Sequence, residues 1–145
     1  MDTLARLLDI EQRLKYIESL PWLRCEGVHN STYPVDNQAI ANGASYTTAS
    51  LWNSYGLPPM ARGIVGSVRG DAANAAGYLM FDSADDVPDL FSCVVGCWTQ
   101  GQAGYCTGHV WVRIGVTGAT AGMITVKAGG ANFTGVYLSI VGYWL

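Results

Sequence analysis

The chain has 145 residues, of which 50% are hydrophobic and 18 are Gly, and its net charge is −3. That length suits one ordinary domain with a small appendage, and that composition excludes a disordered chain. No cluster of Lys or Arg interleaves with aromatics, which argues against nucleic-acid binding, and the longest apolar stretch, 90–98, is far too short to span a membrane.

Charge is unevenly spread. Charged residues make up only 13% of the chain, yet nine of them fall in the first 26 positions: Asp2, Arg6, Asp9, Glu11, Arg13, Lys15, Glu18, Arg24 and Glu26. Two segments with different surfaces therefore meet near Gly27. The start is acidic and no suitable apolar run follows it, so no export signal is expected and synthesis in a cytoplasm is expected. In that compartment Cys25, Cys93, Cys97 and Cys106 read as thiols rather than as a disulfide framework.

Residues 1–21 read as a coiled-coil helix. Asp2 to Leu20 contains no Gly or Pro, and Pro21 stops it. Leu7, Ile10, Leu14 and Ile17 are spaced three, four, three, with the leucines at a and the isoleucines at d. Arg6 and Arg13 fall at g, and Glu11 and Glu18 at e, so each Arg can reach the Glu of a neighbouring chain. Both heptads carry Arg-apolar-x-x-apolar-Glu, which resembles the trimerisation signature of short parallel coiled coils. Leu at a with Ile at d also shifts preference away from dimers. An amphipathic helix packed on its own domain is the alternative, because Leu4, Leu8 and Leu20 widen the stripe. Two heptads are marginal in water, so the rest of the chain is expected to trimerise as well.

Residues 22–43 read as a linker, with 28–43 polar and irregular, and residues 44–145 as an antiparallel, jelly-roll-like β-sandwich. Strands are expected at 63–68, 77–82, 91–98, 110–116, 123–127 and 135–144, with weaker signals near 44–52. Val110, Val112, Ile114 and Val116 alternate with Trp111, Arg113 and Gly115 in the period of a half-buried strand. The last strand carries bulk on both faces, as expected where both sides are covered by the sheet packing or a second subunit. Turns are expected at 118–122 and 129–132, and no helical period recurs after Leu20. The polar coat is Thr, Ser, Asn and Gly rather than charge, which suits a domain whose faces are occupied by neighbours.

Catalytic motifs are not evident: there is no nucleophile elbow, phosphate loop or paired zinc-binding histidine motif, so neither an enzyme nor a cofactor is expected. Cys93, Cys97, Cys106 and His109 come near, but not at, a zinc-finger spacing, and Cys93 and Cys97 share strand parity, so small buried core residues are the simpler reading. A Cys97–Cys106 bridge across a hairpin is a further option. Asp82, Asp85, Asp86 and Asp89 form a carboxylate-rich run that suits calcium or, more simply, a solvated turn. Trp52, Tyr55, Trp98, Tyr105 and Trp111 are the aromatics that would stack on sugars or anchor a partner if exposed, with packing in the core and at interfaces the simpler reading. Trp22 and Tyr33, beside the helix, are candidates for contacts with a partner.

A short coiled-coil stalk, a Gly/Thr/Ala-rich β domain and the closing run Val136 to Leu145 together resemble the trimeric surface proteins of tailed bacteriophages: head-decoration (cement) spikes, head fibres and tail-fibre tips. The resemblance implies a non-enzymatic homotrimeric virion component that contacts the major capsid protein or other virion proteins. The chain has neither a long shaft nor a separate attachment domain, so a capsid decoration protein that stabilises the head is the expectation. The alternative is a tail-fibre or receptor-binding module that recognises a host-surface glycan.

Overall fold

Thr3–Ser19 forms helix α1 in the computed structural model. The structure describes residues 3–19, 23–24, 33–72, 76–85, 93–97 and 104–145. After α1 the chain runs through β1 (Leu23–Arg24), β2 (Val35–Ile40), β3 (Ser45–Thr47), the one-turn helix α2 (Leu51–Ser54), β4 (Gly63–Ala72) and β5 (Gly77–Ser83). It continues through β6 (Cys93–Cys97), β7 (Gly104–Arg113), a 3-10 turn at Gly118–Thr120, β8 (Ile124–Gly129) and β9 (Phe133–Trp144).

The strands form two sheets, and every pairing within them is antiparallel. In the first, β9 has β4 on one side and β1 with β2 on the other, and β7 lies beyond β4. The second runs β3-β8-β5-β6. The chain is thus mainly β, a two-sheet sandwich with a short N-terminal helix. From β2 to β9 the strands follow the interleaved β2-β9-β4-β7 and β3-β8-β5-β6 order of a jelly roll.

Period-two patterning decides which side chains enter the core. On β4, Ile64, Val68 and Ala72 point inward while Ser67, Arg69 and Asp71 point outward. On β7, Cys106, Val110 and Val112 point inward while Tyr105, Thr107, His109 and Trp111 face out. These inward residues meet Leu79, Phe81, Ile124, Phe133, Leu138 and Ile140 in one apolar core drawn from both sheets. Leu51 of α2 is fully buried in the same core. Bulk on both faces of β9 reflects its central place: Leu138 and Ile140 are buried, and Tyr137 and Ser139 are half-buried beneath the sheet's outer side chains.

Several expectations need correction. Residues 35–40 are not linker: Val35 pairs with Leu138 and Ile40 with Phe133, and both Val35 and Ile40 are buried. Polar residues between them (Asp36, Asn37 and Gln38) hid the strand, because β2 is an edge strand that needs apolar contacts only at its ends. The region near 44–52 splits into β3 and the helical turn α2, so helix does recur after α1. β7 begins at Gly104 and ends at Arg113, earlier at both ends than expected, since Gly104 to Cys106 pair with the far end of β4. The expected turns hold, with Gly118, Gly122 and Gly130 all at positive φ.

The helix does not pack on the sandwich as an amphipathic core helix would. Leu4, Leu7, Leu8, Ile10 and Leu14 are each more than half exposed. Arg13 pairs with Asp9 at 3.2 Å and Lys15 with Glu11 at 2.9 Å, both one turn apart along the helix. Arg6 is exposed, and the side chains of Ile17 and Glu18 lie outside the described residues.

Candidate functional site

The outward residues of β9, β4 and β7 make a mixed aromatic and polar face. Register places Arg69 between Tyr137 on β9 and Thr107 on β7, and Asp71 beside Tyr105. Arg69 and Asp71 share a face because they are two apart on one strand. Arg69 Nε donates to Asp71 Oδ1 at 2.9 Å and an Nη donates to Oδ2 at 3.4 Å, a forked ion pair. That pair, chiefly through its hydrogen bond, raises the Arg69 pKa.

The held guanidinium lies 5.6 Å from the ring centre of Tyr105 and 5.8 Å from that of Tyr137. Both are within cation–π range. Tyr137 is held again at its far end, where its hydroxyl donates to Asn37 Oδ1 at 2.8 Å. Asn37 adopts φ 47°, a left-handed conformation that asparagine takes more readily than other non-Gly residues. A groove of about 510 Å³ lies against Arg69 and Tyr137 and is lined also by Tyr33, Asp36, Ser67, Thr107 and Ser139, with Tyr105 outside the lining but against Arg69. Its size is within the range of small-molecule sites.

The same face ends in a second aromatic pair. Trp144 pairs with Gly63 and Trp111 with Val65, two residues along β4, and their ring centres are 6.1 Å apart with planes tilted by 31°. A Cβ at Gly63 would fall on the Trp144 ring, so glycine is what lets this ring lie flat on the sheet. Between the aromatic ends, Ser67 lies opposite His109 on one side and Ser139 on the other. Ser67 and His109 are not hydrogen-bonded to each other. The outer face of the second sheet differs: its groove of about 560 Å³ is lined by Tyr78, Met80, Val94 and Lys127 and is largely apolar.

The sequence-predicted residues separate clearly. Tyr105 and Trp111 are exposed at 69% and 57%, as a stacking role requires. Trp52 and Tyr55 instead pack against the core; Trp52 donates its ring N–H to the Ala61 carbonyl, and burial raises the Tyr55 pKa. Tyr33 is exposed and lines the groove. Trp22, Trp98 and Cys25 lie outside the described residues, as do Asp86, Asp89 and the Cys97 side chain.

The zinc grouping does not assemble among the described residues. Cys106 points into the core and His109 to the outer face, on opposite sides of β7, and Cys93 packs against the core from β6. No group of three or more His, Cys, Asp or Glu able to hold a metal occurs among the described residues. Asp82 is buried in β5. Asp85 is engaged by the 116–120 loop: its carboxylate accepts from Val116 N at 2.6 Å, from Thr117 N at 3.2 Å and from the Thr120 hydroxyl. These bonds, led by Thr120, lower the Asp85 pKa. Its role is to pin a loop.

Sequence reading missed Arg69, Asp71, Asn37 and Tyr137 as site residues. An available signal was the Arg69-Gly70-Asp71 spacing, since opposite charges two apart on a strand share a face. No protein-family profile and no curated protein sequence matches the chain. Among solved structures it is similar to a Bacillus endospore appendage protein, from a family of disulfide-linked pili, at 11% identity and TM-score 0.40, over 81% of this chain and 94% of that one. It is similar also to a carbohydrate-binding module from a Cellvibrio mixtus lichenase, seen with cellotriose, at 14% identity and TM-score 0.38, over 81% of this chain and 94% of that one.

Proposed function

We propose that this chain is a non-enzymatic homotrimeric structural protein of a bacteriophage particle, and specifically a capsid decoration protein that stabilises the head. The observation that carries the trimer is the bare stripe on α1. Leu7, Ile10 and Leu14 are each exposed by more than half, at the positions that a coiled-coil seam requires. A helix of 17 residues is marginal in water without a partner surface, and the sandwich does not cover these positions. The ion pairs within the helix present no obstacle. Exposed pairs one turn apart contribute about 0.3–0.5 kcal/mol, so Arg13 and Glu11 can exchange Asp9 and Lys15 for partners on neighbouring chains at little cost.

Three copies held by one stalk gain avidity from individually weak contacts, which suits a protein that bridges neighbouring capsomers. Light scattering on the purified protein is expected to give three times the 15.5 kDa chain mass. A monomer at micromolar concentration overturns the trimer. Particles made without the protein are expected to lose surface projections and to open at lower temperature. If they keep full stability and fail to adsorb to host cells, the decoration role is wrong and a receptor-binding role takes its place.

A further inference from the structure

We propose that the outer face of the first sheet is a binding site for a neutral saccharide, centred on Tyr105, Arg69 and Tyr137. This goes beyond the trimer and decoration reading and does not depend on it, because every residue involved belongs to one sandwich. A pyranose presents an apolar C–H face and a rim of hydroxyls. It therefore suits an exposed aromatic ring flanked by groups that both donate and accept hydrogen bonds. Tyr105 supplies the ring, the hydroxyls of Ser67, Thr107 and Ser139 in the groove lining both donate and accept, and the Asp36 carboxylate accepts.

The site is built in advance of any ligand. Asp71 forks onto Arg69, Arg69 lies against both tyrosines, and Asn37 holds the Tyr137 hydroxyl. Side chains already held in place lose little entropy on binding. A core role does not explain Tyr105, which is 69% exposed.

Charge selects the ligand class. Asp71 neutralises Arg69 and Asp36 leaves the groove with a negative balance, while Arg113 lies at the far end of the face, opposite Gly63. Phosphorylated, sulfated or sialylated ligands would meet repulsion, whereas neutral sugars would not. Tyr105 and Trp111 face outward six positions apart on β7, and so about 20 Å apart at strand rise. With Trp144 beside Trp111, the face offers an aromatic platform at each end and a polar waist of Ser67, His109 and Ser139. An extended oligosaccharide fits that layout better than a single sugar does.

The test is calorimetric titration of the full-length protein with four neutral tetrasaccharides, built from glucose, N-acetylglucosamine, mannose and galactose, beside sialylated and sulfated counterparts. At least one neutral probe is expected to bind, with affinity about tenfold weaker in Tyr105→Ala, which loses one stacking ring. Tyr137→Ala and Arg69→Ala are expected to weaken it as well. Thermal melts of the three variants establish that they fold, and Tyr105→Ala, at an exposed position, is the decisive one. The proposal is overturned if no neutral probe binds at millimolar concentration, if only the charged probes bind, or if folded Tyr105→Ala binds as well as the parent. Light scattering on the same samples reads the trimer separately, so failure of one reading leaves the other intact.

Discussion

Gly63→Ala tests the arrangement of the outer face directly. A Cβ there would fall on Cζ2, Cη2 and Cε2 of Trp144, so the ring cannot stay where it is. The alternatives are a ring that swings away and a backbone that shifts. Trp144 is half-buried on the outer side of the sheet, next to Trp111, which is 57% exposed, so the ring has solvent to swing into. The loss is then the Trp111–Trp144 contact at 6.1 Å, worth about 0.5–1.5 kcal/mol for an aromatic pair. Replacing a strand glycine with alanine returns about 0.5–1 kcal/mol of unfolded-state entropy. The two nearly cancel, so net stability is expected to change by less than about 1 kcal/mol, a Tm shift within about 3–4 °C for a chain of 145 residues. The tryptophan near-ultraviolet circular dichroism, by contrast, is expected to lose the contribution of the Trp111–Trp144 pair while keeping that of Trp52, which packs against the core. Unchanged near-ultraviolet dichroism would refute the placement of Trp144 over Gly63. A fall in stability of about 3 kcal/mol or more would mean that the ring is locked and the backbone has to yield, as in an overpacked core.

Leu14→Asp is expected to weaken the proposed trimer, so that light scattering shows it dissociating at higher protein concentration than the parent, because it places three like charges about one axis while leaving the β core untouched. Phe133→Ala removes a side chain that is 1% exposed between the two sheets, and is expected to cost about 3–5 kcal/mol in denaturant unfolding; a smaller loss would mean that the core closes over the gap. Asp85→Asn is expected to lower Tm at neutral pH by weakening the grip on Val116, Thr117 and Thr120. The folded pKa of Asp85 lies below its ordinary 3.8, so its contribution is fully present above that value and is lost as pH falls through the folded pKa. Parent and Asp85→Asn melts are therefore expected to converge on acidification below pH 3.8, and a gap that stays constant into acid would refute the linkage.

Much of the sandwich was legible in the sequence because side-chain direction alternates along a strand. Ile64 and Val68 or Val110 and Val112 announce a buried face without reference to any other part of the chain. The helix was equally legible, since its period and its stop at Pro21 are local features. β2 was not, because an edge strand held by Val35 and Ile40 at its ends carries too little pattern to separate it from a polar linker. The site was legible only in part. Tyr105 and Trp111 were grouped with Trp52 and Tyr55 as aromatics able to stack if exposed, and Tyr105 lay outside every expected strand. Nothing local told the exposed pair from Trp52 and Tyr55, which pack against the core. No local pattern says that Tyr137 and Tyr105 flank one arginine. That grouping arises because β4 lies between β9 and β7 in one register. A shift of one residue would turn Arg69 toward the core, so long-range pairing, which composition and period do not encode, decides that a groove exists there at all.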